Sequence, residues 1–208
     1  MAGIKDRRCS PMISKATAFA KQIFAGDGSG HDFDHTLRVY RMAVRLAREE
    51  GADVRIVSLA ALLHDVDDRK LSPHTCQNKD RAVGFLRENG AAEPEIRKIV
   101  QIISEISFSE GNGSPSTLEG MCVQDADRLD AIGAIGIART FAFGGSRGRR
   151  MHDPDGMDRT STIQHFYDKL LLLKDRMNTD AGRRIAEQRH EFLCIFLDEF
   201  YGEWDGIR

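Results

Sequence analysis

No Cys-x-x-Cys pair occurs in this chain. Its four cysteines, Cys9, Cys76, Cys122 and Cys194, are scattered, which argues against a cysteine zinc site and against a disulfide framework. A reduced, cytoplasmic setting is the simpler expectation. No apolar run approaches the roughly 20 residues that a membrane-spanning helix needs. Residues 1–8 are charged where a signal peptide requires an apolar segment, so a soluble, unprocessed protein is expected. Net charge is lacking too. With 30 Lys+Arg against 32 Asp+Glu, the balance is -2, leaving no global field that would draw nucleic acid. Local basic clusters can still hold a small phosphorylated molecule. Alternating strand patterns of useful length, internal repeats and low-complexity tracts are also missing. What remains is 208 residues, enough to bury one substantial core.

The apolar residues that are present recur at helical spacing. Pro11 opens a first helix with Met12, Ile13, Ala16, Phe19, Ala20 and Phe24 on its stripe, and the glycine-rich residues 26–30 stop it. A second helix begins near His31 and His35, carries Tyr40, Ala43, Val44 and Ala47, and ends at Gly51. Asp53 caps a third, whose face is Ile56, Leu59, Ala60, Leu62 and Leu63. Residues 67–79 are polar, contain Pro73 and read as a loop. Helices over 80–89 and 94–106 follow, and then a break at 111–115. Ser116 and Glu119 have the spacing of a capping box, introducing one long segment over 121–143 whose Gly133, Ala134, Gly136 and Ala138 allow close helix contacts. Residues 144–154 are rich in glycine and arginine and read as an exposed, mobile loop. Ile163, Phe166, Leu170, Leu171 and Leu173 mark one further helix. Ile185, Phe192, Leu193, Phe196, Leu197 and Phe200 mark a last one. The expected fold is an all-α, single-domain bundle over 1–208, with its core at about 31–143 and C-terminal helices at about 160–204.

The third helix runs straight into His64-Asp65-Val66-Asp67-Asp68. Adjacent His64 and Asp65 offer an imidazole nitrogen and a carboxylate oxygen, a donor pair suited to a divalent metal. Further ligands are sought among polar residues that interrupt apolar helix faces, where an unpaired charge would be costly to bury. His35 is one. Asp127, in Gln124-Asp125-Ala126-Asp127-Arg128-Leu129-Asp130, is another, with Asp130 one turn on.

The ordered pattern His35, His64-Asp65, Asp127 resembles the HD-domain superfamily of metal-dependent phosphohydrolases, in particular its small single-domain bacterial members. The resemblance covers residues 31–38, 60–68 and 124–136, and extends less sharply to Phe200. It implies that His35, His64, Asp65 and Asp127 ligate one divalent ion. Asp130 and His31 are then supporting groups. Two nitrogens and two oxygens leave room for water and a phosphate oxygen, which favours manganese, iron, cobalt, nickel or magnesium over a closed structural zinc.

Phosphate-ester hydrolysis also needs a proton route and cations around the phosphate. Asp68, then Asp67, are the expected catalytic carboxylates, with Glu105 more distant. Arg38, Lys79, Arg128 and Arg149 are the expected substrate contacts, and Arg147, Arg149 and Arg150 could act together as a lid. His74, His152, His165 and His190 read as ordinary polar residues, and Cys122 and Cys194 as core or near-core. The expected partner is a small phosphorylated molecule, a nucleotide above all, with no membrane and no nucleic acid. Oligomeric state, a homodimer included, is not written in these residues. The competing reading is a metal-bound nucleotide sensor without turnover.

Overall fold

Helical spacing is obeyed throughout the computed structural model. Its described residues, 11–25, 32–68, 74–106 and 113–208, form nine α-helices and one 3-10 helix, with no strand among them. The protein is all-α. Two compact units, Met1–Val123 and Gln124–Arg208, divide the chain, and the boundary falls inside one helix. No helix among the described residues is long and apolar enough to cross a membrane. The glycine-rich 26–30, His31, residues 69–73 of the polar loop and residues 107–112 lie outside the described residues.

In the first unit, α1 (Pro11–Ile23) buries Met12, Ile13, Ala16 and Ala20. α2 (Phe33–Glu50) starts on Asp32, whose carboxylate accepts the His35 N–H at 2.7 Å. Its buried stripe is Val39, Ala43, Leu46 and Ala47. The expected Tyr40 and Val44 are only half-buried, because apolar residues flank both sides of the true face and spacing alone did not rank them. Gly51 takes φ 76° and donates its N–H to Ala47, a left-handed stop that glycine reaches without a Cβ clash. The chain then turns back into α3 (Val54–Leu63), where Asp53 accepts from the Arg55 and Ile56 N–H groups at 2.9 and 3.2 Å. Every residue from Ile56 to Leu63 is buried. α3 packs against α1, α2 and α5 (Glu93–Ile106). Each of its large aliphatic side chains contributes roughly 2 kcal/mol by leaving water.

Beyond α3 the chain makes a tight turn, with Val66 N–H on Leu63 O at 3.3 Å and Asp68 N–H on Asp65 O at 2.9 Å. Asp67 is only 1% exposed. Its two oxygens accept from the Arg81 and Ala82 N–H groups at 3.2 and 3.0 Å, at the start of α4 (Asp80–Glu88). The carboxylate thus satisfies orphan donors at the positive end of a helix.

Ser116 and Glu119 do not form the expected capping box. Ser116 donates its N–H and hydroxyl to Glu105 at 2.8 Å, and Glu119 pairs with Lys98 at 2.9 Å. The hydroxyl of Thr117 caps α6 (Leu118–Asp130) instead, accepting the Gly120 N–H at 3.1 Å. One residue of offset was enough, since Ser116 and Thr117 carry the same chemistry.

The second unit holds the rest of α6, then α7 (Gly133–Ser146), α8 (Thr162–Asp168), a 3-10 helix (Leu170–Arg176) and α9 (Asp180–Trp204). The expected single segment 121–143 is therefore two helices. The chain breaks after Asp130, where Ile132 is extended and Gly133 takes φ 76°. A Cβ on Gly136 would lie 2.3 Å from the Ala131 carbonyl oxygen, so these small residues serve a tight corner. α7 runs to Ser146, into the expected loop, and buried Gly144 leaves space for the Thr162 hydroxyl. The rest of that loop is organised around buried Asp153, which accepts from Arg150 at 2.6 Å and from the Met157 and Asp158 N–H groups at 2.8 and 2.7 Å. The expected helix over 163–173 is interrupted at Lys169. On α9, Leu193 and Leu197 are buried, whereas Phe192 is exposed. Cys122 is buried as expected. Cys194, expected in or near the core, is exposed.

Two measurements follow from these contacts. Asp67→Ala is expected to cost about 2 kcal/mol, because two helix N–H groups lose a charged acceptor. A urea midpoint matching the parent protein would refute that account. Burial, then nearby Lys169 and Arg149, hold the half-buried His165 imidazole below its ordinary 6.5. A depressed pKa contributes stability that is present above about pH 6.5 and lost as the pH falls below it. The urea midpoint should therefore drop on acidification, and His165→Asn should remove part of that drop.

Candidate metal centre

In the first unit the end of α3 delivers His64 and Asp65 beside His35 of α2. His64 stands at the C-terminus of α3, and its Nδ1–H donates to the Ala61 carbonyl at 2.8 Å. A carbonyl can only accept, so this bond fixes the proton on Nδ1 and leaves Nε2 as the lone-pair donor. His35 sits in the first turn of α2, where the Asp32 cap holds its backbone. The two rings lie 5.6 Å apart at 64°. Both present Nε2 to one carboxylate oxygen, Asp65 Oδ2, at 3.6 Å from His35 and 3.2 Å from His64. The side chains are 3%, 5% and 15% exposed in the order His35, His64, Asp65.

This donor set fits a divalent ion. Ligand atoms of His35 and His64 lie within 4.8 Å of each other, close to the span of about 4.2 Å that two metal–nitrogen distances of about 2.1 Å allow. Two imidazoles and a carboxylate are borderline donors suited to first-row metals, and the carboxylate admits the harder ions as well.

The remaining expected residues fall in several places. Asp68 closes the turn after Asp65 and is half-buried. Asp67 points both oxygens into the α4 N-terminus, a use that its position beside the motif did not reveal. Glu105 is engaged away from the proton chemistry assigned to it. Burial pushes its carboxyl up, but hydrogen bonds from Gln101 and Ser116 outweigh this and leave it below the usual carboxylate range. Arg38 lies one turn after His35 on α2. Lys79, just before α4, is 7% exposed and adopts a left-handed backbone, φ 56° and ψ 41°, which no other described non-glycine residue does at positive φ.

In the second unit, Asp127 lies on α6 and is half-buried. Arg128 is buried, with Nη1 donating to the Arg176 carbonyl. Burial draws its guanidinium pKa down while Asp125 raises it. Asp130 pairs with Arg139 at 2.6 Å. Arg147 and Arg149 lie over the Phe143 ring at 5.4 and 5.5 Å, and Arg150 is held by Asp153. The expected lid arginines thus have partners within their own unit. Sequence reasoning missed Asp125. It is 0% exposed, and nothing in the pattern distinguishes it from Asp127 or Asp130 except its place on the apolar side of α6, next to Cys122 and Ala126.

Comparison with known proteins agrees with this geometry. The HD domain family matches residues 32–132, a span that contains His35, His64, Asp65 and Asp127. The uncharacterized protein YpgQ of Bacillus subtilis is 38% identical over 192 residues, covering 91% of this chain and 92% of that protein. The crystal structure of an HD-superfamily hydrolase from Bacillus thuringiensis superposes with a TM-score of 0.80 at 44% identity, covering 93% of this chain and 96% of the other. That of B. subtilis YpgQ in complex with ADP gives 0.79 at 35% identity, covering 94% and 100%. With the ordered motif, the helical fold and full-length relatives in agreement, the chain belongs to the HD-domain superfamily.

Proposed function

We propose that this protein is a metal-dependent phosphohydrolase that cleaves a phosphate ester or phosphoanhydride of a nucleotide. The observation that carries the reading is the convergence of two buried imidazoles on Asp65 Oδ2, with the His64 tautomer fixed by Ala61. That the B. subtilis relative YpgQ has been crystallised with ADP supports a nucleotide as the substrate class.

His35, His64, Asp65 and Asp127 would hold the ion. When bound there, a divalent metal lowers the pKa of a coordinated water and shields phosphate charge. The chain's own residues do the rest. The Ala61 carbonyl keeps His64 Nε2 aimed, and the Asp32 cap keeps His35 in register. Asp68 accepts the proton of the attacking water, and Asp67 holds the turn that carries it. Arg38 and Lys79 contact phosphate oxygens. The Lys79 backbone supports its assignment. A left-handed conformation costs an ordinary residue about 1–2 kcal/mol, glycine would remove the cost, and such outliers gather where a side chain has a task.

Two experiments test the reading. Manganese titrated by calorimetry should bind the parent protein, and His64→Ala and Asp65→Ala should each weaken binding at least about tenfold. A nucleotide panel assayed with manganese, cobalt, nickel, iron and magnesium should then release phosphate or pyrophosphate. If metal and nucleotide both bind but no product forms with any ion, the protein is a nucleotide sensor and the hydrolase reading fails. Asp68→Asn should lower kcat by about 100-fold or more with little change in KM, the pattern of a lost proton acceptor. An unchanged kcat would remove Asp68 from the reaction.

A further inference from the structure

The segment 124–130 carries polar side chains whose partners come from far along the chain, beyond the family match that ends at residue 132. Asp125 is their centre. Four donors from two consecutive residues converge on its carboxylate. Asn178 N–H reaches both oxygens at 2.9 and 3.1 Å, and Asn178 Nδ2 reaches Oδ1 at 2.8 Å. Thr179 N–H and Oγ1 reach Oδ2 at 2.8 and 2.7 Å. Asn178 Nδ2 also donates to Gln124 Oε1 at 2.9 Å, and Thr179 Oγ1 accepts the Gly182 N–H at 3.0 Å, capping α9. A Cβ on Gly182 would sit 2.4 Å from Asp125 Oδ2, so the close approach requires glycine there. On the flanks, Arg128 is tied to the Arg176 carbonyl and Arg189 to the Leu129 carbonyl.

A fully desolvated carboxylate is an expensive way to join two helices, and apolar packing would do it more simply. What it adds is direction. Each oxygen has its own donors, so the α6 backbone at Asp125 is fixed in rotation as well as in position. Asp127 follows two residues later, about 200° around the helix and about 3 Å along it. Fixing the rotation of Asp125 therefore fixes the direction in which Asp127 leaves the helix. We infer that Asp125 is a positioning residue for Asp127, and that Asn178 and Thr179 aim this carboxylate from outside the matched HD segment. The inference rests on Asp127 being a ligand of the proposed ion.

The test is manganese affinity, measured by calorimetry on the full-length protein at a temperature where circular dichroism shows every variant folded. Asn178→Ala and Thr179→Ala should each weaken binding about tenfold, the size found for groups that orient metal ligands, while Thr179→Ser should restore parent affinity. Leu193→Ala, a cavity in α9 that leaves the Asp125 contacts intact, should lower the unfolding midpoint without changing affinity. If Thr179→Ala does not fold, Asn178→Ala carries the test. Equal weakening in Leu193→Ala would mean general softening and would overturn the inference. So would parent-like affinity in Asn178→Ala and Thr179→Ala while Asp127→Ala loses the ion. Parent-like affinity in Asp127→Ala would remove Asp127 as a ligand, and the inference with it, leaving the His35, His64 and Asp65 assignment to its own variants.

Discussion

The burial of α3 on every side is the constraint from which the candidate centre follows. Eight consecutive residues, 56–63, lie out of water, so the polar stretch that continues them emerges among apolar neighbours. Polar groups placed there must be satisfied internally. His64 uses the carbonyl one turn behind it, Asp65 faces two imidazoles, and Asp67 takes the N–H groups of α4. The same short turn thus fastens two helices and gathers a donor set.

Much of the polarity that makes the family's motifs recognisable is scaffold. Of the carboxylates in 65–68, Asp67 is a helix cap. Of those in 125–130, Asp125 and Asp130 are engaged with Asn178, Thr179 and Arg139. Side chains proposed to do chemistry are the minority, standing between residues that hold the backbone. Losing such a scaffold carboxylate would leave several buried N–H donors without their acceptor, a cost of about 1–3 kcal/mol for each.

Helix content was legible because spacing at 3.6 residues survives any packing, and Gly51 and Asp53 signal helix ends by local chemistry alone. His35 and His64-Asp65 were legible for a related reason. Each breaks an apolar face where nothing else explains a polar group. The breaks after Asp130 and at Lys169 were not legible. Gly133 and Gly136 suit a close helix crossing as well as a corner, and only the nearness of the Ala131 carbonyl decides between them. The choice of Thr117 over Ser116 as a cap was set by Glu105 capturing Ser116 from another helix. Asp125 was hidden because its partners are more than fifty residues away, at 178 and 179. Pattern reading reports which residues share a face, but not which distant backbone comes to meet them.

The same limit reassigns the cations. Four were candidates for phosphate from sequence, and two of them have structural work in their own unit. The Arg128 guanidinium is buried, held by the Arg176 carbonyl and close enough to Asp125 and Asp127 that both raise its pKa against desolvation. It acts as a counter-charge to these neighbouring carboxylates, a role that a phosphate contact would compete with. Arg149 lies on an aromatic face at the surface, where a cation–π contact is worth about 0.5–1 kcal/mol. Arg38 and Lys79 are the cations left for the proposed phosphate contacts. Lys79 is held just before α4, whose first N–H groups Asp67 accepts. The turn that carries Asp65 and the residue that presents the Lys79 amine are thereby tied through a single carboxylate.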